Sequence, residues 1–200
     1  MIDESQVTYL EHVHDMLRTR MKDNQRRFEH SLGVARSAAQ LAVAYGVDEY
    51  EAVLAGLLHD WDKVLDDHEL LVRAAQYGVE LAGSPTRSVG LLHGLVAAHE
   101  LQHVFPGTSD AVCQAVARHT IGAVDMTPLD MVVFIADAIE PGRRGGYAER
   151  LRALVGEASL EELFFQTFSQ GLVYVISTGR YLYPTAIDIY NAYAVRLMRS

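Results

Sequence analysis

Ala52-Val53-Leu54-Ala55-Gly56-Leu57-Leu58-His59-Asp60 decides the reading of this chain. Seven apolar or small residues run together without the alternation a half-buried strand would show, so the stretch reads as a buried helix. Asp48 stands ahead of it as a cap, with Glu51 three residues on in capping-box position. The run ends in two metal-capable side chains. An aspartate among apolar neighbours is costly unless its charge is paired or coordinated, and a cation would remove that cost. Adjacent side chains on a regular helix point about 100° apart. His59 and Asp60 can therefore share one site only if the helix ends or loosens there. The polar run Trp61-Asp62-Lys63-Val64-Leu65-Asp66-Asp67 predicts that it does.

Outward from this stretch the pattern stays helical. Apolar residues at spacings of three and four predict a helix over 6–22, and a face of small residues predicts another over 27–45, stopped by Gly46. Further helices are expected over 67–77, 87–103, up to 118 from a cap at Ser109 or Asp110, from Thr127-Pro128 to the loop at Pro141, over 147–155, from Ser159 to about Thr178, and over 184–198. With no sustained strand alternation, repeat or long linker, the fold class is all-α: one domain over 1–200, of about nine helices.

Composition narrows the function. Half of the 200 residues are hydrophobic, which excludes a disordered chain. The formal charge of −9 disfavours nonspecific nucleic-acid binding, while leaving room for a local basic pocket around a small anion. Cys113 is the single cysteine, so neither an internal disulfide nor a cysteine-rich zinc module can form. The absence of an apolar leader or an 18-residue apolar span leads us to expect a cytoplasmic protein without a membrane partner.

Five positions at helix ends or inside apolar runs carry metal-capable groups: His30, His59-Asp60, His93, His119 and Asp137. Histidine and carboxylate together suit iron, manganese or zinc. Lying far apart in sequence, they would have to converge from different helices of a bundle. The plainer alternative is structural: a lone histidine near a helix end, and Asp137 capping a neighbouring helix or pairing with Arg118. His12, His14, His68, and the pair His99 and His103 read as surface residues.

The order His30, His59-Asp60, Asp137 resembles the signature of the HD-domain metal-dependent phosphohydrolases. The surrounding words narrow the likeness. Arg27-Phe28-Glu29-His30-Ser31-Leu32-Gly33-Val34-Ala35, Ala55-Gly56-Leu57-Leu58-His59-Asp60, Leu92-His93-Gly94, Arg118-His119-Thr120 and Ile135-Ala136-Asp137-Ala138-Ile139-Glu140-Pro141-Gly142-Arg143 are similar to the YqeK-like symmetrical bis(5'-nucleosyl)-tetraphosphatases. The resemblance implies an HD-domain helical bundle with its metal-binding core at about 26–144 and the C-terminal helices packed on it. It implies hydrolysis of diadenosine tetraphosphate and related dinucleoside polyphosphates to two ADP by a metal-activated water. His30, His59, Asp60 and Asp137 would hold one ion, and His93 and His119 a second, with Asp60 bridging. Two divalent ions are expected, iron first, with manganese or another divalent ion as alternatives.

Polyphosphate needs cationic groups near those ions. Asp60 and Lys63 are the catalytic candidates, and Arg27, Lys63, Thr120, Arg143 and Arg144 the candidates for holding phosphate, arginine being suited to bidentate contact. Tyr181, Tyr183 and Tyr190 are candidates to stack on a base. The partner is thus a small nucleotide, and a homodimer is compatible with the chain. Another nucleotide substrate, such as a nucleoside monophosphate, and a non-catalytic nucleotide-binding protein are the alternatives. One departure stands out: Asp62 replaces the small residue usual in the family. It is expected to be a solvent-facing neighbour of Lys63, or else to alter the charge near the site.

Overall fold

Helix starts follow the caps written in the sequence. In the computed structural model, which describes residues 2–199, Asp3, Asn24, Asp48, Asp66, Ser109, Thr127 and Ser159 each accept the backbone N–H three residues on. They open α1 (Glu4–Arg20), α2 (Gln25–Tyr45), α3 (Glu49–Leu58), α4 (Asp67–Gln76), α7 (Asp110–Arg118), α8 (Pro128–Ile139) and α10 (Leu160–Ser177). Such a cap satisfies a donor that helix geometry leaves orphaned, for about 1 kcal/mol. Between them lie α5 (Pro85–Ser88), a 3₁₀ turn (Val89–Leu91), α6 (Leu92–Val104), α9 (Gly146–Ala153) and α11 (Thr185–Leu197). No strand occurs among the described residues, as the pattern predicts.

Three local expectations change. The segment expected to be one helix over 87–103 is broken at Val89–Leu91, and eleven α-helices form among the described residues. Asp48 makes its half of the capping box, but Glu51 turns away and accepts the Ser109 hydroxyl at 2.6 Å. Val7, which the spacing of three and four sets on the same stripe as Val13 and Leu17, is exposed, because the core beneath α1 begins only at Val13.

Five helices make the centre. α2 packs on α3 and α8, and α7 packs on α3, α6 and α8. Val132, Val133, Ile135 and Ala136 of α8 are fully buried there with Leu54 and Leu58 of α3 and Val34 and Ala38 of α2. Each large aliphatic side chain so buried contributes about 1.5–3 kcal/mol. The C-terminal helices join the same core through Leu163 and Phe164 of α10 and Ile189 and Tyr193 of α11. The bundle is drawn tight where the site forms. A Cβ on Gly56 would sit 2.7 Å from the Ala35 Cα, and one on Gly94 would sit 2.6 Å from the Val116 carbonyl oxygen. Only glycine lets α3 and α6 lie that close to α2 and α7. No helix among the described residues is long and apolar enough to cross a membrane.

Candidate metal centre

The ends of α3, α6 and α7 meet α2 and α8 at one point. Beyond Leu58 the chain leaves α-helical geometry for successive three-residue bonds: Trp61 N–H to Leu58, Lys63 N–H to Asp60 and Leu65 N–H to Asp62. The loosening that His59 and Asp60 required is therefore present, and both side chains turn inward. His59, Asp60, His93 and His119 are buried, and His30 and Asp137 close the cluster on its more open side.

The Asp60 carboxylate divides the cluster. Its Oδ2 lies 3.4 Å from His59 Nε2 and 3.7 Å from His30 Nε2, while its Oδ1 lies 3.1 Å from His93 Nε2 and 3.9 Å from His119 Nε2. Asp137 Oδ1 adds a 3.1 Å approach to His30 Nε2. Two overlapping triads result, His30-His59-Asp60 and Asp60-His93-His119, each with ligand atoms close enough to surround one cation.

The outward ring nitrogens explain why the inward ones are free. His59 Nδ1 faces the Gly56 carbonyl at 2.8 Å, and His119 Nδ1 faces the Val116 carbonyl at 2.6 Å, so both Nδ1 atoms carry the proton and donate. His30 Nδ1 faces Glu140 Oε1 at 3.1 Å. At His93 the Gly90 carbonyl is 3.0 Å from Nδ1, but Lys63 Nζ competes for the same oxygen at 3.0 Å and stands 3.2 Å from the ring. The Nε2 atoms then confront one another in pairs, His30 with His59 at 3.3 Å and His93 with His119 at 3.0 Å. Facing lone pairs repel unless a cation or proton sits between them. This donor set, with outer hydrogen bonds fixing each ring, fits a divalent metal.

Electrostatics agree. Burial resists ionisation of Asp60, but His59 and then His93 outweigh it and hold the carboxyl well below the usual range. Burial likewise resists Asp137, and the His30 hydrogen bond overcomes it with help from His59 and Arg143. Burial, joined by His93 and His59, pushes His119 down to about 3, and burial also lowers His93. Both are thereby kept as neutral imidazoles. His59 is shifted up, because Asp60 outweighs the effect of its burial. Burial lowers Lys63 against the pull of Asp60.

All six candidate metal positions converge. Among the phosphate candidates, Arg27 is paired with Asp60, Arg143 with Asp137, and the Thr120 hydroxyl is 3.4 Å from His119 Nε2. Arg144 is exposed in the loop between α8 and α9. The alternative of an Asp137–Arg118 pair is not what forms: Arg118 pairs with the buried Asp130 at 2.9 Å and with Asp125. His12, His68, His99 and His103 are exposed as expected, His99 stacking on Tyr77, while His14 is half-buried against Phe28.

One expectation fails. Asp62 is not solvent-facing: it is fully buried and paired with Arg20, whose guanidinium also covers the Trp61 ring. The turn directs Asp60 and Lys63, three apart, toward His93 and leaves Asp62 facing α1. The three named tyrosines have contacts of their own, and Tyr181 and Tyr190 remain exposed. Tyr181 and Tyr183 accept the backbone N–H groups of Ser84 and Ala82, and Tyr190 packs on Phe165.

Sequence reasoning missed Glu140 as a partner of His30. Its signal was available, because an acid at a helix C-terminus opposes the helix dipole and calls for a compensating contact. Glu140 is buried, and its second oxygen accepts the Gly142 N–H at 2.5 Å. Also missed were Tyr147, Tyr174 and Arg180. They line a cavity of about 660 Å³ that reaches His119 and Asp137, and no spacing singles them out among ten tyrosines.

A family profile described as the HD domain matches residues 27–142, which contain every residue of the cluster. The chain belongs to the HD-domain family. This HD protein is 32% identical over 172 residues to the symmetrical bis(5'-nucleosyl)-tetraphosphatase of Staphylococcus aureus, covering 84% of this chain and 87% of the relative. It is 27% identical to the protein of the same description from Bacillus subtilis, over 84% of this chain and 89% of the other. Its fold superposes with a TM-score of 0.85 on a crystal structure described as a predicted HD superfamily hydrolase involved in NAD metabolism from Clostridium acetobutylicum. That match has 31% sequence identity and covers 93% of this chain and 97% of the other. The all-α HD bundle expected from the sequence is therefore the fold observed.

Proposed function

We propose that this protein is a metal-dependent symmetrical bis(5'-nucleosyl)-tetraphosphatase, hydrolysing diadenosine tetraphosphate to two ADP. The observation that carries the reading is the division of the Asp60 carboxylate between two pairs of imidazole Nε2 atoms. The relatives of that description, matched along most of their length, support it. In our reading the whole chain is one HD domain. His30, His59, Asp60 and Asp137 hold one divalent ion, and His93, His119 and the shared Asp60 hold a second, with iron the first choice. Such ions supply an activated water and neutralise phosphate charge.

The chain's own groups do the rest. Arg27 and Arg143 stand against Asp60 and Asp137, at the edge of the cluster, where a bound polyphosphate would offer them new oxygens. Lys63 is held by the Gly90 carbonyl and adds a positive charge beside His93. Thr120 offers a hydroxyl next to His119. Arg144 adds charge to the rim. Placing the second phosphate from one end over the cluster makes both products ADP. We further read the protein as cytoplasmic, acting on free nucleotide without a nucleic-acid or membrane partner, and compatible with a homodimer.

The test is incubation of metal-loaded protein with diadenosine tetraphosphate and separation of the products. ADP alone is expected. ATP with AMP, or no turnover, overturns the reading. Release of phosphate from a nucleoside monophosphate in place of that reaction selects the other HD-type phosphohydrolase.

A further inference from the structure

Two cavities flank the cluster, and their chemistry differs. One, of about 670 Å³, touches His30 and is walled by Arg26, Arg27, Arg36 and Arg143. The other, of about 660 Å³, touches His119 and Asp137 and is walled by Phe134, Tyr147, Gln170, Tyr174 and Arg180. Arg143 belongs to both, so a chain of phosphates passing from one cavity to the other crosses the cluster beside it.

Each wall selects its own half of a ligand. The second cavity offers π-faces at Tyr147 and Tyr174, with the Arg180 guanidinium 5.1 Å from the Tyr174 ring centre and the Gln170 amide as a hydrogen-bonding edge. Aromatic faces with a few polar groups suit a purine base. The first cavity has no Phe, Tyr or Trp, and its one ring is the His30 imidazole, which belongs to the cluster. Arg26 and Arg36 are exposed and make no ion pair among the described residues, while Arg27 and Arg143 are paired with carboxylates of the cluster. Its wall sets four guanidinium groups against two carboxylates, Glu29 and Glu140, of which Glu140 is held by His30 and Gly142. A chain of net charge −9 thus carries a local surplus of guanidinium beside the cluster. That surplus fits phosphate oxygens.

We infer that the two halves of the substrate are recognised unequally: one nucleoside sits in the Tyr147–Tyr174 cavity, and the other half is held in the arginine cavity by its phosphates alone. The inference rests on the function proposed above and extends its substrate class. A nucleoside 5'-tetraphosphate with no second nucleoside then fills every contact that matters. Water adds across the phosphoanhydride between the second and third phosphates, its oxygen joining one phosphorus as the bridging P–O bond breaks. The products are ADP and pyrophosphate, with a proton released and no change of oxidation state.

The experiment compares adenosine 5'-tetraphosphate with diadenosine tetraphosphate on the metal-loaded wild-type protein, with both products identified. The expected result is ADP plus pyrophosphate, with kcat/KM within about 5-fold of the dinucleotide, a smaller change than loss of a stacked base produces. A larger loss shows that a second base is bound, stacked on the arginine planes, and overturns the inference while leaving the tetraphosphatase function standing. Turnover of neither compound removes the function itself and the inference with it. Binding gives a second readout. Replacing Arg26→Gln and Arg36→Gln together is expected to weaken inorganic tripolyphosphate by at least about 10-fold in calorimetry, with adenosine affinity unchanged. Unchanged tripolyphosphate affinity overturns the assignment of the arginine cavity.

Discussion

Asp60 and Asp62 are two residues apart on one turn and are almost equally buried, yet their environments drive them in opposite directions. The four histidine Nε2 atoms and Arg27 surround Asp60, and its carboxyl is held well below the usual range. Asp62 meets Arg20 through one oxygen, and its other oxygen is buried with no hydrogen-bond partner among the described residues. Burial pushes its carboxyl up to about 6, with Glu100 adding to the rise and Arg20 and Arg73 opposing it. A buried acid is therefore not a site by virtue of its burial. What separates the two is convergence of donors from α2, the turn after α3, α6 and α7 on one side, against a single cation from α1 on the other.

The comparison breaks most visibly by exchanging the two positions as mutants. Asp60→Ala removes the group that both histidine pairs share. Hydrolysis of diadenosine tetraphosphate is expected to fall by on the order of 10³-fold or more, with loss of bound metal by elemental analysis. Asp62→Asn, on the Arg20 side, is expected to keep metal content and turnover. An Asp62 variant that loses its metal, or an Asp60 variant that keeps full activity, would undo the contrast.

The pH dependence of folding probes the histidines on the Asp60 side. His119 falls to about 3 in the folded chain, against about 6.5 for a free histidine. From pH 6.5 downward the unfolded chain takes up a proton that the folded chain refuses until about 3. The His119 contribution is thus complete above 6.5 and lost as pH falls through that window, by on the order of a few kcal/mol. His59, whose folded value is raised, contributes below 6.5 and loses that contribution as pH rises. Chelator-treated protein carrying His119→Gln should therefore show a flatter decline of Tm between pH 6.5 and the acid limit than wild type. An unchanged slope would show that His119 is not held neutral by the fold.

The sequence made the Asp60 side of this contrast legible and hid the other. Caps at Asp48, Ser109 and Thr127, the glycine stop at Gly46 and three-to-four spacing give the helices, because these are local effects of hydrogen bonding and burial. The six cluster residues were found because acids in apolar runs are costly and stand out, and a family resemblance ordered them. Asp62 misled because it lies in a polar run where a solvent-facing side chain is the cheaper expectation. Its partner, Arg20, is 42 residues away in α1, and nothing local announces it. Tyr147 and Tyr174 stayed hidden for the same reason: the cavity they line depends on how α8, α9 and α10 meet.

Glu140 sharpens the difference within the cluster. Three of the four rings have backbone carbonyls at Nδ1, and only His30 has a carboxylate there. Glu140→Ala removes the orienting acceptor and its charge together. Metal affinity is expected to drop by about 10–100-fold, the usual scale for such outer contacts. Glu140→Gln keeps an acceptor and should recover most of the loss if orientation dominates, or little if the charge does. Affinity unchanged in both variants would reduce Glu140 to a cap on the loop at Gly142.

The smallest effect returns to Asp62. Its folded carboxyl sits at about 6 and its unfolded one near 3.8, so the folded chain holds the proton more firmly. The associated stability is present below pH 3.8 and is lost as pH rises through 6. With Arg20 partly solvated, the loss is on the order of 1–2 kcal/mol. Asp62→Asn cannot ionise and should escape it. The stability of the variant relative to wild type, measured by urea denaturation, should then improve between pH 4 and pH 7. A difference constant across that range would mean that Arg20 keeps Asp62 ionised throughout, making the pair a fixed tie between α1 and the turn that carries the metal centre.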